Sequence, residues 1–384
     1  MNLTTLSRRD LLRGGTATAL AALVGAPSAL FGLPPLERDE ELVPFLDPQP
    51  INQKRPMVIW ERLRSWLTPD EEVFAVSHYG TPEVDANAWR LSFQGLVEQP
   101  NSYSLEDLKK RPRREFVATL ECSGNGVSPK FMGAIGNARW TGTLLAPLLR
   151  ECGVKDGGIE VVFFGADEGT ETIREAEYKQ KFARSLLLKD AFSSEAILCY
   201  AMNDQPLTRA HGYPLRLVVP GWYGVAWVKW LERIEVHDRR FMNRFMGRDY
   251  VTIRGEPQDG ETVWRETSVG KMNVKSIVAR VTRRKNGGLR VAGAAWSYGS
   301  VDRVELSIDG GPWQPTTLQQ GRNLPYTWTF WSYDWNNPSA GEHTIVSRAV
   351  DRLGRVQPTK DDPAIRLKKT YWEANEQVTR RIRV

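Results

Sequence analysis

The hydrophobic pattern of the chain changes near Lys271, and the change divides it into two unlike parts. After Lys271, the runs at 274–281, 289–296 and 301–308 are strand-like, and apolar and polar residues alternate at 344–350. Tyr326, Trp328 and Phe330 alternate in the same way, and Gly-containing turns separate the runs. Closely spaced strands of this kind predict a β-sandwich of about 110 residues over 271–384.

The part before Lys271 mixes strand and helix patterns. Residues 144–152 have helical spacing and end at Gly153, a residue type that commonly follows the last helical turn. Short apolar runs at 161–164 and 215–219 predict buried strands. The fold class expected for 57–270 is therefore α+β.

The N-terminus is typical of an export signal. An Arg pair, Arg8-Arg9, precedes an apolar run at 14–23 that is too short to span a bilayer. The Arg pair resembles a twin-arginine signal over 1–33, while a Sec signal or a membrane anchor are the alternatives. Residues 34–56 are rich in proline and predict an extended linker. We expect a periplasmic protein without a stable membrane span in its mature form.

Charge and cysteine content exclude several classes of protein. The chain carries 52 Lys+Arg and 46 Asp+Glu, a net charge of +6, which is too small to indicate nucleic-acid binding. The 3 cysteines cannot form a disulfide framework, although Cys152 and Cys199 could pair. No Cys-x-x-Cys-His motif is present, so we expect no c-type haem in this chain.

Cys122 lies in the sharpest local motif, Leu120-Glu121-Cys122-Ser123-Gly124-Asn125-Gly126. An apolar run ends in a cysteine that glycines and small polar residues follow. Such a loop can present a thiolate to a soft metal or to a substrate. Because single cysteines are most often inert core thiols, the residues alone leave both interpretations open.

A second cluster gathers His211, Arg216 and Lys229 among several glycines. Glycines let the backbone approach a ligand, and the cations suit a phosphate. Neither a Walker A motif nor a dinucleotide-binding fingerprint is present. A strand–loop–strand with solvated charges is the alternative interpretation.

Four segments together resemble the sulfite oxidase family of molybdenum–molybdopterin enzymes over about 56–384: 74–82, 122–142, 201–231, and 295–313 with 348–358. The third segment, which contains His211-Gly212-Tyr213-Pro214-Leu215-Arg216, is long and specific. The resemblance implies a sulfite-oxidase-type molybdopterin-binding domain followed by an immunoglobulin-like dimerisation domain. It also implies a bacterial, exported oxidoreductase.

The resemblance assigns roles to individual residues. Cys122 is expected to bind molybdenum, Tyr250 to act in the active site, and Trp140 to form an aromatic wall of the substrate pocket. The residues expected to hold the cofactor are Ser77, His78, Cys122, Ser123, Gly124, Asn125, Asp167, His211, Arg216, Trp227, Val228 and Lys229.

The activity that the resemblance implies is oxidation of sulfite to sulfate, with electrons passed from a homodimer to a separate carrier such as cytochrome c. Val76 and Val127 stand where sulfite-oxidising members carry basic residues. The same cofactor could therefore act on another sulfur compound, or reduce an S- or N-oxide. An exported, non-enzymatic binding module is the alternative from a different class.

Overall fold

The computed structural model describes residues 33, 40–49, 56–128, 131–319 and 323–384. The predicted signal, apart from Leu33, and the linker residues 34–39 and 50–55 lie outside the described residues. Among the helices of the described ranges, none is long and apolar enough to cross a membrane.

The described chain consists mainly of strands, with a few short helices. The strands are β1 (Glu41–Leu42), β2 (Leu91–Gly95), β3 (Asn101–Tyr103), β4 (Arg113–Glu121), β5 (Ile135–Leu144), β6 (Glu160–Ile173), β7 (Ala176–Leu187), β8 (Ile197–Met202), β9 (Gln205–Pro206), β10 (Arg216–Val218), β11 (Leu231–His237), β12 (Val251–Gln258), β13 (Glu261–Ser268), β14 (Lys275–Arg283), β15 (Leu289–Trp296), β16 (Val301–Ile308), β17 (Gln314–Pro315), β18 (Thr317–Leu318), β19 (Thr329–Trp335), β20 (Glu342–Asp351) and β21 (Thr379–Arg383). The α-helices are α1 (Leu105–Lys109), α2 (Leu145–Cys152), α3 (Leu188–Ser193), α4 (Arg244–Gly247) and α5 (Pro363–Arg366).

The first domain contains two larger sheets and the β12–β13 hairpin. One sheet has the order β10-β8-β5-β4 with β9 beside β8, and the other has the order β3-β2-β11-β6-β7. β2 and β11 run parallel, whereas the other pairs in these sheets are antiparallel. The predicted helix forms as α2 and ends at Gly153, whose φ of 67° is the left-handed conformation that glycine adopts without strain. The predicted α+β class is confirmed.

The second domain is the predicted β-sandwich of immunoglobulin-like type. Its sheets have the orders β1-β14-β15-β19-β18 and β17-β16-β20-β21. Alternate residues of both sheets point into one core, which includes Val278, Val291, Val304 and Ile345. β15 and β16 cover the strand-like ranges 289–296 and 301–308 that the sequence predicted. The predicted strand through Tyr326 begins only at Thr329, because Tyr326 has a φ of 64° and belongs to a turn.

Tryptophans join the two domains. The Trp60 ring lies 5.9 Å from Trp296 and 5.4 Å from Trp328. The indole of Trp66 donates to the Trp328 carbonyl at 3.2 Å, and the Trp328 indole donates to the Trp66 carbonyl at 3.0 Å. The described part of the predicted linker is not wholly irregular, because β1 pairs with β14 at the edge of the sandwich.

Candidate active site

Cys122 directly follows the last residue of β4, and hydrogen bonds hold its loop in place. The Cys122 amide donates to the Ala134 carbonyl at 2.9 Å, and the Asn125 amide donates to the Cys122 carbonyl at 2.9 Å. The Asn125 side chain accepts from the Ala134 amide at 3.0 Å and donates to Glu121 at 3.1 Å. Asn125 therefore fixes the shape of the loop.

Cys122 opens into a pocket with about 670 Å³ of empty space, including the part that is open to solvent. The structure brings most of the predicted site residues to its wall: Ser77, His78, Cys122, Ser123, Asp167, His211, Arg216, Trp227, Lys229 and Tyr250. Val76 and several other apolar residues complete the wall. The two clusters that the sequence showed separately thus share one pocket.

Arg216 and Lys229 form a cationic end of this pocket. Arg216 is 3% exposed and donates to the main-chain oxygens of His211 at 3.1 Å and Trp227 at 3.2 Å. Lys229 Nζ donates to the Ala210 carbonyl at 3.0 Å. Within the described ranges, neither cation has a carboxylate oxygen within 4.0 Å, and Arg216 Nε has no hydrogen-bond partner.

Burial controls the electrostatics of this end. It lowers the pKa of Lys229 to about 7 and the pKa of Arg216 to about 10. Burial also raises the pKa of Asp167 to about 6, although the charge of Lys229 works against the rise. Asp167 Oδ1 and Ser123 Oγ are buried without a partner in the part of the chain that the structure describes. Because buried polar groups are nearly always paired, these atoms indicate the place of a polar ligand that can donate a hydrogen bond to Asp167.

His211 lines the same end, but its imidazole already has two partners. Nε2 lies 3.0 Å from the Val73 carbonyl, and Nδ1 lies 2.7 Å from the Thr208 hydroxyl. A carbonyl can only accept, so Nε2 carries the proton and Nδ1 accepts from Thr208. Burial lowers the pKa of His211 to about 4. His211 therefore shapes the wall and adds no positive charge near neutral pH.

Tyr250 marks another part of the wall. Its hydroxyl lies 2.7 Å from His78 Nε2, and its ring stacks on Trp372 with centroids 4.3 Å apart. The φ of Tyr250 is 56°, a left-handed conformation that is uncommon for a bulky residue and that the packing must hold. Burial raises the pKa of Tyr250, so its hydroxyl keeps the proton at neutral pH.

The donor set fits the molybdopterin group that the sequence resemblance implies. Cys122 can supply a soft thiolate to the metal, and Arg216 with Lys229 can bind a phosphate. Burial raises the pKa of Cys122, so metal binding has to displace the thiol proton. The unpartnered atoms of Ser123 and Asp167 lie in the same pocket and can bond polar edges of the group.

The predicted site residues outside the lining are Gly124, Asn125, Trp140 and Val228. Trp140 is completely buried, donates to the Ala118 carbonyl at 3.1 Å, and lies 5.1 Å from the Arg216 guanidinium. It supports the cationic end from behind instead of forming a wall of the pocket. Val228 is fully buried in the core.

Tyr371 and Trp372 reach the site from the second domain, and the sequence patterns did not indicate them. Their rings lie 4.0 Å apart, and Trp372 stacks on Tyr250. A Cβ on Gly124 would lie 3.0 Å from the Tyr371 ring, so this ring covers the Cys122 loop closely and would have to shift for a larger residue. Only the folded chain places these aromatic residues near Cys122, because no local motif connects them.

Glu121 and Lys275 form a second group of buried charges, directly behind the Cys122 loop. Lys275 Nζ donates to the Glu121 carboxylate and to the Asn125 carbonyl, both at 2.6 Å. The Trp296 indole donates to the other Glu121 oxygen at 2.8 Å. A glutamate at the end of the apolar run 117–120 is a sequence signal that could have indicated a buried partner.

Comparisons with known proteins agree with this geometry. The chain matches the oxidoreductase molybdopterin binding domain over 78–245 and the Mo-co oxidoreductase dimerisation domain over 266–373. It is 33% identical to the mitochondrial sulfite oxidase of Homo sapiens, over 79% of this chain and 59% of that protein. It is 32% identical to the sulfite oxidase of Gallus gallus, over 80% of this chain and 72% of that protein.

The chain is shorter than several of these relatives, and it spans 59% of the length of the human protein. Among solved structures, it resembles the sulfane dehydrogenase SoxCD from Paracoccus pantotrophus, with a TM-score of 0.71 and 28% identity over 90% of both chains. The thiol and the cationic end in one pocket, the two matched domains and these relatives lead to one conclusion. The chain belongs to the sulfite oxidase family of molybdopterin-dependent oxidoreductases.

Proposed function

We propose that this chain is a molybdenum–molybdopterin oxidoreductase that acts on a small sulfur compound, with sulfite as the first candidate substrate. One observation carries the proposal: the Cys122 thiol shares a pocket with two cations that have no carboxylate partner in the described chain. A pocket of this kind suits an anionic group with a thiolate-bound metal. The sulfite oxidase and sulfane dehydrogenase relatives support a sulfur substrate.

When bound, the molybdenum group supplies two-electron redox chemistry and exchanges an oxygen atom with the substrate. Cys122 would hold the metal, and Arg216 with Lys229 would hold the phosphate. Tyr250 holds a proton on its hydroxyl, which can hydrogen-bond a substrate oxygen or remain with His78. The stacked ring of Trp372 keeps that hydroxyl in position.

A second candidate is action on a less charged compound, including reduction of an S- or N-oxide. Val76 lines the pocket at the position where the resemblance leads us to expect a basic residue. Arg248, which precedes Asp249-Tyr250, is not part of the lining and does not replace that basic residue. Arg248 instead bonds the Tyr178 hydroxyl at 3.1 Å and lies 3.8 Å from Glu171. A pocket without a substrate-side cation binds a dianion less well than a neutral oxide.

The further parts of the proposal rest on the sequence and the matched domains. We propose a periplasmic homodimer, exported by the twin-arginine segment, that passes electrons singly to a separate carrier such as cytochrome c. The match to a dimerisation domain supports the dimer. The SoxCD relative is a dehydrogenase, which supports a protein carrier as the electron acceptor.

The test uses the purified full chain. We expect about one molybdenum per chain and sulfite-dependent reduction of cytochrome c, and Cys122→Ser should lower both at least tenfold, because a serine hydroxyl is a harder and much less acidic ligand. Cys152→Ser is the matched control, since Cys152 is also a free cysteine but lies outside the pocket. Full molybdenum content in Cys122→Ser would refute the assignment, and turnover of dimethyl sulfoxide without turnover of sulfite would select the second candidate.

A further inference from the structure

Arg184 is a buried cation next to the pocket, and the function described above does not account for it. Its side chain is 2% exposed, and Phe182, two residues earlier on β7, lines the pocket on the same face of the strand. The guanidinium donates to the carbonyls of Phe245 and Val269, the latter at 2.5 Å. Its Nε has no partner in the described residues.

No carboxylate of the described chain lies within 4.0 Å of Arg184. Glu160 and Glu373 line the same groove as Arg184 and favour its charged form, but each also has another partner: Glu160 pairs with Arg240 at 3.0 Å, and Glu373 accepts from the Thr252 hydroxyl at 2.7 Å. Burial lowers the pKa of Arg184 to about 10, so it remains charged at neutral pH. Because no carboxylate is in direct contact, the protein compensates the buried charge of Arg184 only in part.

The two carbonyls that Arg184 binds lie on either side of Tyr250. The Val269 amide donates to the Tyr250 carbonyl at 2.8 Å, so Arg184 holds the backbone segment that faces Tyr250. Phe245 belongs to the helical turn that precedes Tyr250, and its ring lies 4.8 Å from His78, the partner of the Tyr250 hydroxyl. Arg184 thus holds both sides of the Tyr250 segment while its charge remains unpaired.

We propose that Arg184 is a positioning residue that keeps a fixed positive charge behind Tyr250, and that this charge favours a negatively charged oxygen of the substrate in the pocket. A basic residue in place of Val76 would attract the substrate oxygen by direct contact. The Arg184 charge would supply part of that attraction from behind the pocket wall. This inference rests on the proposed function. A charge in a low-dielectric wall acts over a longer range than a charge in water, so no direct contact is required.

The experiment compares Arg184→Met, which removes the charge but keeps a long stem, with Arg184→Lys, which keeps the charge. Lys271→Met is the matched control, because Lys271 borders the same groove as Arg184 and its charge is paired with Asp190 at 3.6 Å. The probes are sulfate and dimethyl sulfone, which both have tetrahedral sulfur but differ in charge. Their dissociation constants are measured on the molybdenum-loaded protein, and the midpoint of thermal unfolding is measured without the cofactor.

For Arg184→Met we expect about tenfold weaker sulfate binding and unchanged binding of dimethyl sulfone. Arg184→Lys should retain most of the sulfate affinity, and Lys271→Met all of it. Without cofactor, Arg184→Met should unfold at a lower temperature than the wild type, because the carbonyls of Phe245 and Val269 lose their donor.

Two results would overturn the inference: equal weakening of both probes, or failure of sulfate to bind the loaded wild type. Equal weakening would make Arg184 a structural clamp only. Arg184→Met could instead contain less molybdenum while its loaded fraction binds sulfate as tightly as the wild type. The Arg184 charge would then act on the cofactor, and a role toward substrate would be refuted. Absence of molybdenum from the wild type would refute the proposed function itself, while a lower unfolding temperature of cofactor-free Arg184→Met would still show that Arg184 holds the Tyr250 segment.

Discussion

Lys275 and Arg216 are both buried cations near the Cys122 loop, but they differ in their partners. Lys275 is 1% exposed and donates to the Glu121 carboxylate and to a carbonyl of the loop. Arg216 is 3% exposed, donates only to main-chain oxygens, and leaves its Nε unpaired in the described chain. The paired cation stabilises the loop that carries the thiol. The unpaired cation is positioned for an anion that is not part of the protein.

The largest effect on stability should come from breaking the Lys275–Glu121 pair. Lys275→Met leaves the buried Glu121 carboxylate without its cation, so we expect the free energy of unfolding to fall by about 3–5 kcal/mol. Urea unfolding followed by tryptophan fluorescence measures the change. The double variant Lys275→Met/Glu121→Gln should recover much of the loss, because no unpaired charge remains. A loss of less than about 1 kcal/mol in the single variant would contradict the structural role of the pair.

Arg216→Met should lower the cofactor content more than the stability. Without cofactor, we expect the free energy of unfolding to fall by less than in Lys275→Met, because removal of an unpaired charge offsets part of the cost of leaving the carbonyls of His211 and Trp227 without a donor. The molybdopterin content per chain should nevertheless fall at least tenfold, because charge-assisted bonds to the phosphate are lost. Pterin fluorescence after oxidation of the purified protein measures that content. Equal stability losses in Arg216→Met and Lys275→Met would mean that Arg216 is a structural residue like Lys275.

Local sequence motifs predicted this site well where the chain itself brings the residues together. Cys122 with Ser123, and Arg216 with Lys229, each belong to one short run, and both runs line the pocket. Trp140 could not be placed in this way, because strand alternation does not determine whether a buried ring faces a cavity or the core. In the structure, it faces the core behind Arg216.

Residues that depend on long-range packing could not be predicted from the sequence. Tyr371 and Trp372 come from the second domain, and Arg184 lies in a strand that has no motif. The strand at 289–296 was predicted closely, because a nearly continuous apolar run bounded by turn residues is typical of a strand that is buried on both faces. The β1 pairing was not, since two residues carry too little pattern to indicate an edge strand.

Lys229 should make the stability of the cofactor-free protein depend on pH. Burial, with a smaller contribution from Arg216, lowers its pKa from 10.5 to about 7 in the folded protein. Between these values the unfolded chain binds the proton and the folded protein does not, so the stability of the cofactor-free protein rises as pH increases from 7 to 10.5. We expect a rise of about 2 kcal/mol relative to Lys229→Met, less than the full shift would give, because the ammonium faces the open pocket.

Unfolding of the two forms in urea at several pH values measures this difference, and the other titrating groups cancel in the comparison. Cofactor should abolish the rise, because a bound phosphate restores the charged form of Lys229. Identical pH profiles for wild type and Lys229→Met would show that this lysine has an ordinary environment. The cationic end would then be less buried than the structure indicates.

The smallest effect should come from adding a cation on the substrate side. Val76 lines the pocket, so Val76→Arg would place a guanidinium there, and we expect the KM for sulfite to fall by up to about tenfold, which corresponds to about 1.4 kcal/mol. Val76→Met is the matched control, because it lengthens the side chain without a charge. In cofactor-free protein, the new arginine would be a second unpaired cation like Arg216 and should lower stability slightly. If the natural substrate is uncharged, turnover of a neutral sulfoxide should decrease in Val76→Arg and not in Val76→Met. A KM for sulfite that stays the same in both variants would mean that residue 76 does not face the substrate. The absence of a basic residue at position 76 would then have no bearing on substrate choice.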